Sequence, residues 1–257
     1  MAVGGTLLKL EALSKSFGGL RAVNNLSFEV KGGTITSLIG GNGAGKTTVF
    51  NLITGNLAPD AGHIAFRDTR VDGLPPHKVA RAGIARGFQE LRLFNRLSAR
   101  DNIEAAIPGQ RGEGLVRALI GGRRLRKERD ATAVRSGALL RELMIESQGH
   151  ALAERLSYGQ QKLLSLGRLL AAEAELLLLD EPTSGLSPDM INDFCTRMRA
   201  LTKVGKTILL IEHNVEIVMQ LSDWVVVMHQ GTKIAEGKPE DVRNNVTVMH
   251  TYLGITS

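Results

Sequence analysis

Short apolar runs punctuated by glycine dominate the chain. Leu7–Leu13 and Leu26–Val30 alternate apolar with polar positions, the period of half-buried strands, and Gly18-Gly19 and Lys31-Gly32-Gly33 mark turns. Thr34–Ile39 is a β-branched run that ends at a glycine cluster, and Thr47–Ile53 after that cluster has helical character. Gly62–Phe66 reads as a further strand, and Pro75-Pro76 opens a helix running to about Arg81. From Phe94 to Met144 the chain turns rich in Leu, Ala, Arg and Glu. Apolar positions recur there at mixed spacings of three and four, which predicts mainly helix, interrupted at Gly109–Gly114 and Gly121-Gly122. Beyond Tyr158, helices over 160–172, 188–204 and 215–221 alternate with strands over 176–179, 207–211 and 225–228. A hairpin and short helix are predicted for 231–242. This alternation predicts one α/β core carrying a helical insertion, in a single domain over 1–257.

Composition narrows the class without changing that layout. The 257 residues are 43% hydrophobic and 23% charged, ordinary for a globular chain long enough to bury a core. Cys195 is the one cysteine, so no internal disulfide and no four-cysteine zinc site can form. No segment approaches the roughly 20 apolar residues that cross a bilayer. The start, MAVGGTLLKLEAL, lacks the pattern of a secretory signal. A membrane role would therefore need another chain to hold this one in place. The net charge of +6 is local: Gly109–Arg141 holds nine Lys and Arg against three Asp and Glu. A solvated basic helix accounts for it; contact with lipid headgroups or an acidic partner is the alternative. Few aromatics accompany the charge, which argues against stacking on single-stranded nucleic acid.

The glycine cluster carries chemistry. Gly40-Gly41-Asn42-Gly43-Ala44-Gly45-Lys46-Thr47-Thr48 fits G-x-x-x-x-G-K-[ST], between a predicted strand and helix as that motif requires. Glycines let the backbone N–H groups turn toward phosphate oxygens, and the helix dipole adds to the pull. Lys46 supplies charge to the β- and γ-phosphates, and the Thr47 hydroxyl is a hard ligand for Mg²⁺. Leu176–Leu179 leads into Asp180-Glu181, so Asp180 falls at a strand's C-terminal edge, where it can hold Mg²⁺, and Glu181 can polarise a water. Leu156-Ser157-Tyr158-Gly159-Gln160 offers Ser157 as a helix N-cap or, equally, as part of a second anion site.

With Leu-Ser-Tyr-Gly-Gln the chain resembles the ABC ATPases. The resemblance implies a P-loop NTPase core of ABC type, with an N-terminal antiparallel β subdomain and a helical subdomain over about 90–165. It places a C-terminal tail at about 230–257. It implies ATP and Mg²⁺ bound between two such subunits, with Ser157, Gly159 and Gln160 contacting the nucleotide of the partner. Gln89 falls at the family's Gln loop, a contact to metal or water that also abuts the membrane subunit; His213 resembles the switch histidine, and Ser184–Ser187 the loop crossing the dimer. Phe17 sits where an aromatic stacks on adenine, with Val23 adding an apolar contact. The order is shared along nearly the whole chain, with Lys46 to Gln89 spaced by 43, Ser157 to Asp180 by 23 and Glu181 to His213 by 32. One departure is Gly41, where many members carry proline.

Finer phrasing resembles the ATPase subunits of branched-chain amino acid importers: Gly83–Gln89, Arg92–Asn95, the basic insertion, Ala235–Asp241 and Tyr252-Leu253-Gly254. The resemblance implies ATP hydrolysis at the cytoplasmic face of the inner membrane, energising import of branched-chain or other hydrophobic amino acids. The implied partners are a second ATPase subunit, the same chain or a related one, two transmembrane permease subunits and, indirectly, an extracytoplasmic solute-binding protein. Urea, amides or another small solute are alternative cargoes, and an ATP-driven clamp on nucleic acid is a more distant reading; no nucleic acid is expected.

Overall fold

A computed structural model describes residues 4–87, 91–109, 122–245 and 247–248, with backbone alone over 122–126. The chain forms two compact units, one from residues 1–89 with 175–257, the other from 90–174.

The first unit holds two sheets. Strands β1 (Thr6–Phe17), β2 (Leu20–Lys31), β4 (Ala61–Phe66) and β5 (Thr69–Arg70) form an antiparallel sheet in the order β2-β1-β4-β5. Alternation decides its faces: Leu8, Leu10 and Leu13 on β1 and Leu26, Phe28 and Val30 on β2 are buried, and polar residues between them face water. The second sheet contains β3 (Ile35–Gly40), β6 (Ile84–Gly87), β7 (Leu176–Asp180), β8 (Thr207–Ile211), β9 (Trp224–His229) and β10 (Thr232–Gly237). Its order is β10-β9-β3-β8-β7-β6, parallel except for the β9–β10 hairpin. Every residue of β3, β7 and β8 is buried, as suits parallel strands covered on both faces. The expected strands at 176–179, 207–211 and 225–228 are all present. Strand β6 had no counterpart in the sequence pattern; its four residues, Ile-Ala-Arg-Gly, are strand because β7 pairs with them.

Helices α1 (Lys46–Ile53), α2 (Pro76–Ala82), α6 (Pro188–Lys203), α7 (Val215–Leu221) and α8 (Pro239–Arg243) complete this unit. In the second unit are α3 (Ala99–Glu104), α4 (Gly122–Glu142) and α5 (Tyr158–Ala171), with Ile103, Leu140, Leu143 and Leu164 buried. The segment before α3, expected to be helical from Phe94 onward, is not: residues 94–97 are irregular, like 91–93 before them. The cause is Asn102, wholly buried, whose Oδ1 accepts from the backbone N–H of Phe94 while Nδ2 donates to the carbonyls of Phe94, Leu97 and Ser98. A buried amide that satisfies this backbone replaces the helical ladder.

Candidate functional site

Because β3, β8 and β7 are adjacent and parallel, their C-terminal ends open on one edge of the sheet. Leu38 on β3 and Asp180 on β7 both lie opposite Ile211, the last residue of β8. The glycine loop follows β3, Glu181 follows β7 and His213 follows β8, so three distant stretches of sequence meet at one edge.

The glycine loop ends at Gly45, whose φ of 99° and whose approach to the Ala22 carbonyl (an added Cβ would sit 2.2 Å from that oxygen) exclude any side chain. Gly45 is also the N-cap of α1, with no side-chain acceptor there. Six other helix starts differ: Ser98, Ser157 and Asn214 cap α3, α5 and α7, and proline opens α2, α6 and α8. Helix α1 thus leaves its first N–H groups for a ligand, and an anion is the ligand they suit. The Lys46 ammonium is buried against this loop, donating to the carbonyls of Gly40 at 2.7 Å and Gly41 at 2.9 Å. Burial pulls its pKa down, and the charges of Glu181 and Asp180 oppose that pull.

Asp180 is buried too, and burial pushes its pKa up against the pull of Arg86. Arg86 donates from Nη2 to Asp180 Oδ2 at 3.1 Å and from Nη1 to Asn51 Oδ1 at 2.6 Å, with its guanidinium over the Phe50 ring. Neither Arg86 nor Asn51 was evident as a site residue in sequence; they belong to β6 and α1, and only the fold brings Arg86 to Asp180 with Asn51 behind it. Glu181 has φ 47°, a left-handed conformation costing a non-glycine residue roughly 1–3 kcal/mol. Its Oε1 lies 2.9 Å from His213 Nε2.

Lys46, Asp180, Glu181 and His213 line a cleft of about 650 Å³, together with Phe17, Leu20, other residues of 42–48 and Gln230. Phe17 is 45% exposed, with the Lys15 ammonium 5.8 Å from its ring centre. A flat exposed ring at the mouth of an anion site suits a ligand carrying both a planar base and phosphates. Val23 corrects the sequence reading: it is fully buried in the core and does not line the cleft, because its place on β2 points inward. The β2 residues at the cleft are Leu20, Arg21 and Ala22.

Among the described residues no group of three or more His, Cys, Asp and Glu could hold a metal unaided. Asp180 and Thr47 offer two hard oxygens in the cleft. That set suits a cation such as Mg²⁺, which takes its remaining ligands from phosphate and water. Gln89 lies outside the described residues, as does Tyr252-Leu253-Gly254. Ser157, Gly159 and Gln160 belong to the second unit, at the start of α5. There Ser157 Oγ accepts from Gln160 N at 3.3 Å and Gln160 Oε1 accepts from Ser157 N at 2.9 Å, a reciprocal cap on an exposed serine.

Comparison with known proteins gives a consistent picture. The family model described as ABC transporter matches residues 23–184. The high-affinity branched-chain amino acid transport ATP-binding protein LivG of Escherichia coli strain K12 is 39% identical over 96% of this chain and 98% of its own length. The corresponding protein BraF of Pseudomonas aeruginosa is 36% identical over the same shares. Among solved structures, a nucleotide-free ATP-binding cassette from an ABC transporter superposes with a TM-score of 0.84 at 29% identity, covering 98% of this chain and all of the other. The ADP conformation of an ATP-binding cassette of an ABC transporter gives 0.83 at 30% identity, again over 98% of this chain and all of the other.

Proposed function

The chain belongs to the ABC transporter family, and from that premise we propose that it is the ATP-binding and ATP-hydrolysing subunit of an importer for branched-chain or other hydrophobic amino acids. The observation that carries the ATPase reading is the convergence of Lys46, Asp180, Glu181 and His213 in one cleft behind an uncapped helix start. The cargo rests on the likeness to LivG and BraF along almost the whole chain.

In this reading Phe17 stacks on adenine and residues 40–48 hold the phosphates. Lys46 leaves the carbonyls of Gly40 and Gly41 for phosphate oxygens. Thr47 and Asp180, with Gln89, hold Mg²⁺, which when bound neutralises charge developing on the phosphates. Glu181 takes the proton of the attacking water, and His213, already beside it, steadies the carboxylate and senses the γ-phosphate. Residues 1–257 form one ATPase domain, with a helical subdomain at about 90–165 and a C-terminal tail at about 230–257. Ser157, Gly159 and Gln160 serve the nucleotide of a second ATPase subunit, the same chain or a related one. Two membrane permeases, engaged near Gln89 at the cytoplasmic face of the inner membrane, take up the resulting motion, and a solute-binding protein delivers the cargo.

Glu181→Gln tests the assignment: turnover collapses by about 10²-fold or more while ATP binding persists, read by steady-state hydrolysis beside equilibrium binding. Unchanged turnover would remove Glu181 from the role of base. Uptake of labelled leucine into vesicles carrying the co-purified permeases, compared with urea, tests the cargo.

A further inference from the structure

Behind the cleft lies a buried carboxylate to which the catalytic reading gives no task. Glu212 is 3% exposed, between Ile211 at the end of β8 and His213. Its Oε1 accepts from the Thr183 backbone N–H at 3.1 Å and from the Thr183 hydroxyl; its Oε2 accepts from the His213 backbone N–H at 3.1 Å. It does not line the cleft. All three donors are neutral, and burying a carboxylate for neutral donors is costly where an apolar residue would complete the strand end without penalty. Packing alone therefore does not account for it.

Its partners do. Thr183 lies two residues beyond Glu181, and His213 is the next residue, so one carboxylate ties together the two loops that carry the cleft's acid and its histidine. Glu181 sits in a left-handed conformation, which an L residue keeps only when its surroundings impose it. Two restraints are in place. The Glu181 N–H donates to the carbonyl of Ile211 at 2.9 Å, and Glu212 clamps Thr183. Both come from successive residues at the end of β8.

We propose that Glu212 is a positioning residue for ATP hydrolysis. It clamps residues 181–183 against the end of β8, keeps Glu181 in its left-handed conformation and so holds the Glu181 carboxylate beside His213 Nε2. The proposal rests on the roles given above to Glu181 and His213.

The donor pattern makes the test isosteric. Gln at 212 has one accepting oxygen and one donating NH2 group. The Thr183 hydroxyl can rotate to accept, but a backbone N–H cannot. Whichever way the amide turns, either Thr183 N–H or His213 N–H loses its acceptor.

In the full chain with its permeases, Glu212→Gln lowers kcat about tenfold or more, the factor expected for one buried hydrogen bond to a charged group. KM for ATP and the equilibrium affinity for ADP stay within about twofold, because the phosphate loop is untouched. Thr183→Val, which removes the hydroxyl and keeps the backbone donor, lowers kcat part of the way, and Thr183→Ser restores it. If Glu212→Gln does not fold, Thr183→Val carries the test. Wild-type kcat in the variant beside an inactive Glu181→Gln overturns the proposal alone. So does a lowered melting temperature with kcat intact, or an equal loss of kcat and nucleotide affinity. Turnover retained in Glu181→Gln overturns the catalytic reading and this proposal with it.

Discussion

Lys46 shows how a side chain can be costly to the fold and yet be kept where the proposed function needs it. Its ammonium is buried and its pKa is pulled down by that burial, so the charge is kept against a desolvation penalty. Lys46→Ala removes the penalty along with two hydrogen bonds to carbonyls that water can then reach. The nucleotide-free protein is expected to lose less than about 1 kcal/mol of stability. Stabilisation by ADP, about 2.7 kcal/mol for the wild type at a hundredfold excess over Kd, is expected to vanish. Thermal melts with and without ADP check both. At this scale the sequence was informative wherever chemistry is local: the glycine loop, Asp180-Glu181 and His213 all reach the cleft that their motifs implied. It was silent where a partner is distant. Arg86 meets Asp180 across 94 positions, and Thr183 meets Glu212 across 29. Val23 was read as an apolar contact at the cleft, but its place on β2 buries it in the core, and Leu20 on the same strand lines the cleft instead.

Helix starts explain how elements are divided between structure and function. Two of them, α3 and α5, carry the same capping box, Ser98 with Asp101 and Ser157 with Gln160. Replacing either serine with alanine is expected to cost about 1 kcal/mol, measured by urea unfolding. Only Ser157→Ala should also lower ATP turnover, since only that serine is placed against a partner's nucleotide in the proposed assembly. Equal turnover in the two variants would leave Ser157 as a cap and nothing more. Most strands and helices were readable from apolar periodicity because their burial is regular. Strand β6 and the irregular stretch 94–97 were not. The first is imposed by pairing with β7, the second by one buried asparagine, and neither influence has a local signature.

At the scale of the whole molecule, no helix among the described residues is long and apolar enough to cross a membrane. In the proposed assembly, contacts with the permeases hold the chain at the membrane. An alkaline carbonate wash of membranes is expected to release it while the permeases stay in the pellet; retention of this chain after the wash would contradict a peripheral attachment. The feature with the widest reach in that setting is small. Lys46 donates to the carbonyls of Gly40 and Gly41, so the loop itself offers acceptors for the charge that the proposed function assigns to phosphate. In the proposed function, nucleotide capture is therefore an exchange of partners for Lys46, and product release is the reverse exchange. Part of the affinity for any nucleotide is then spent on breaking bonds inside the loop, a cost that ADP and ATP share.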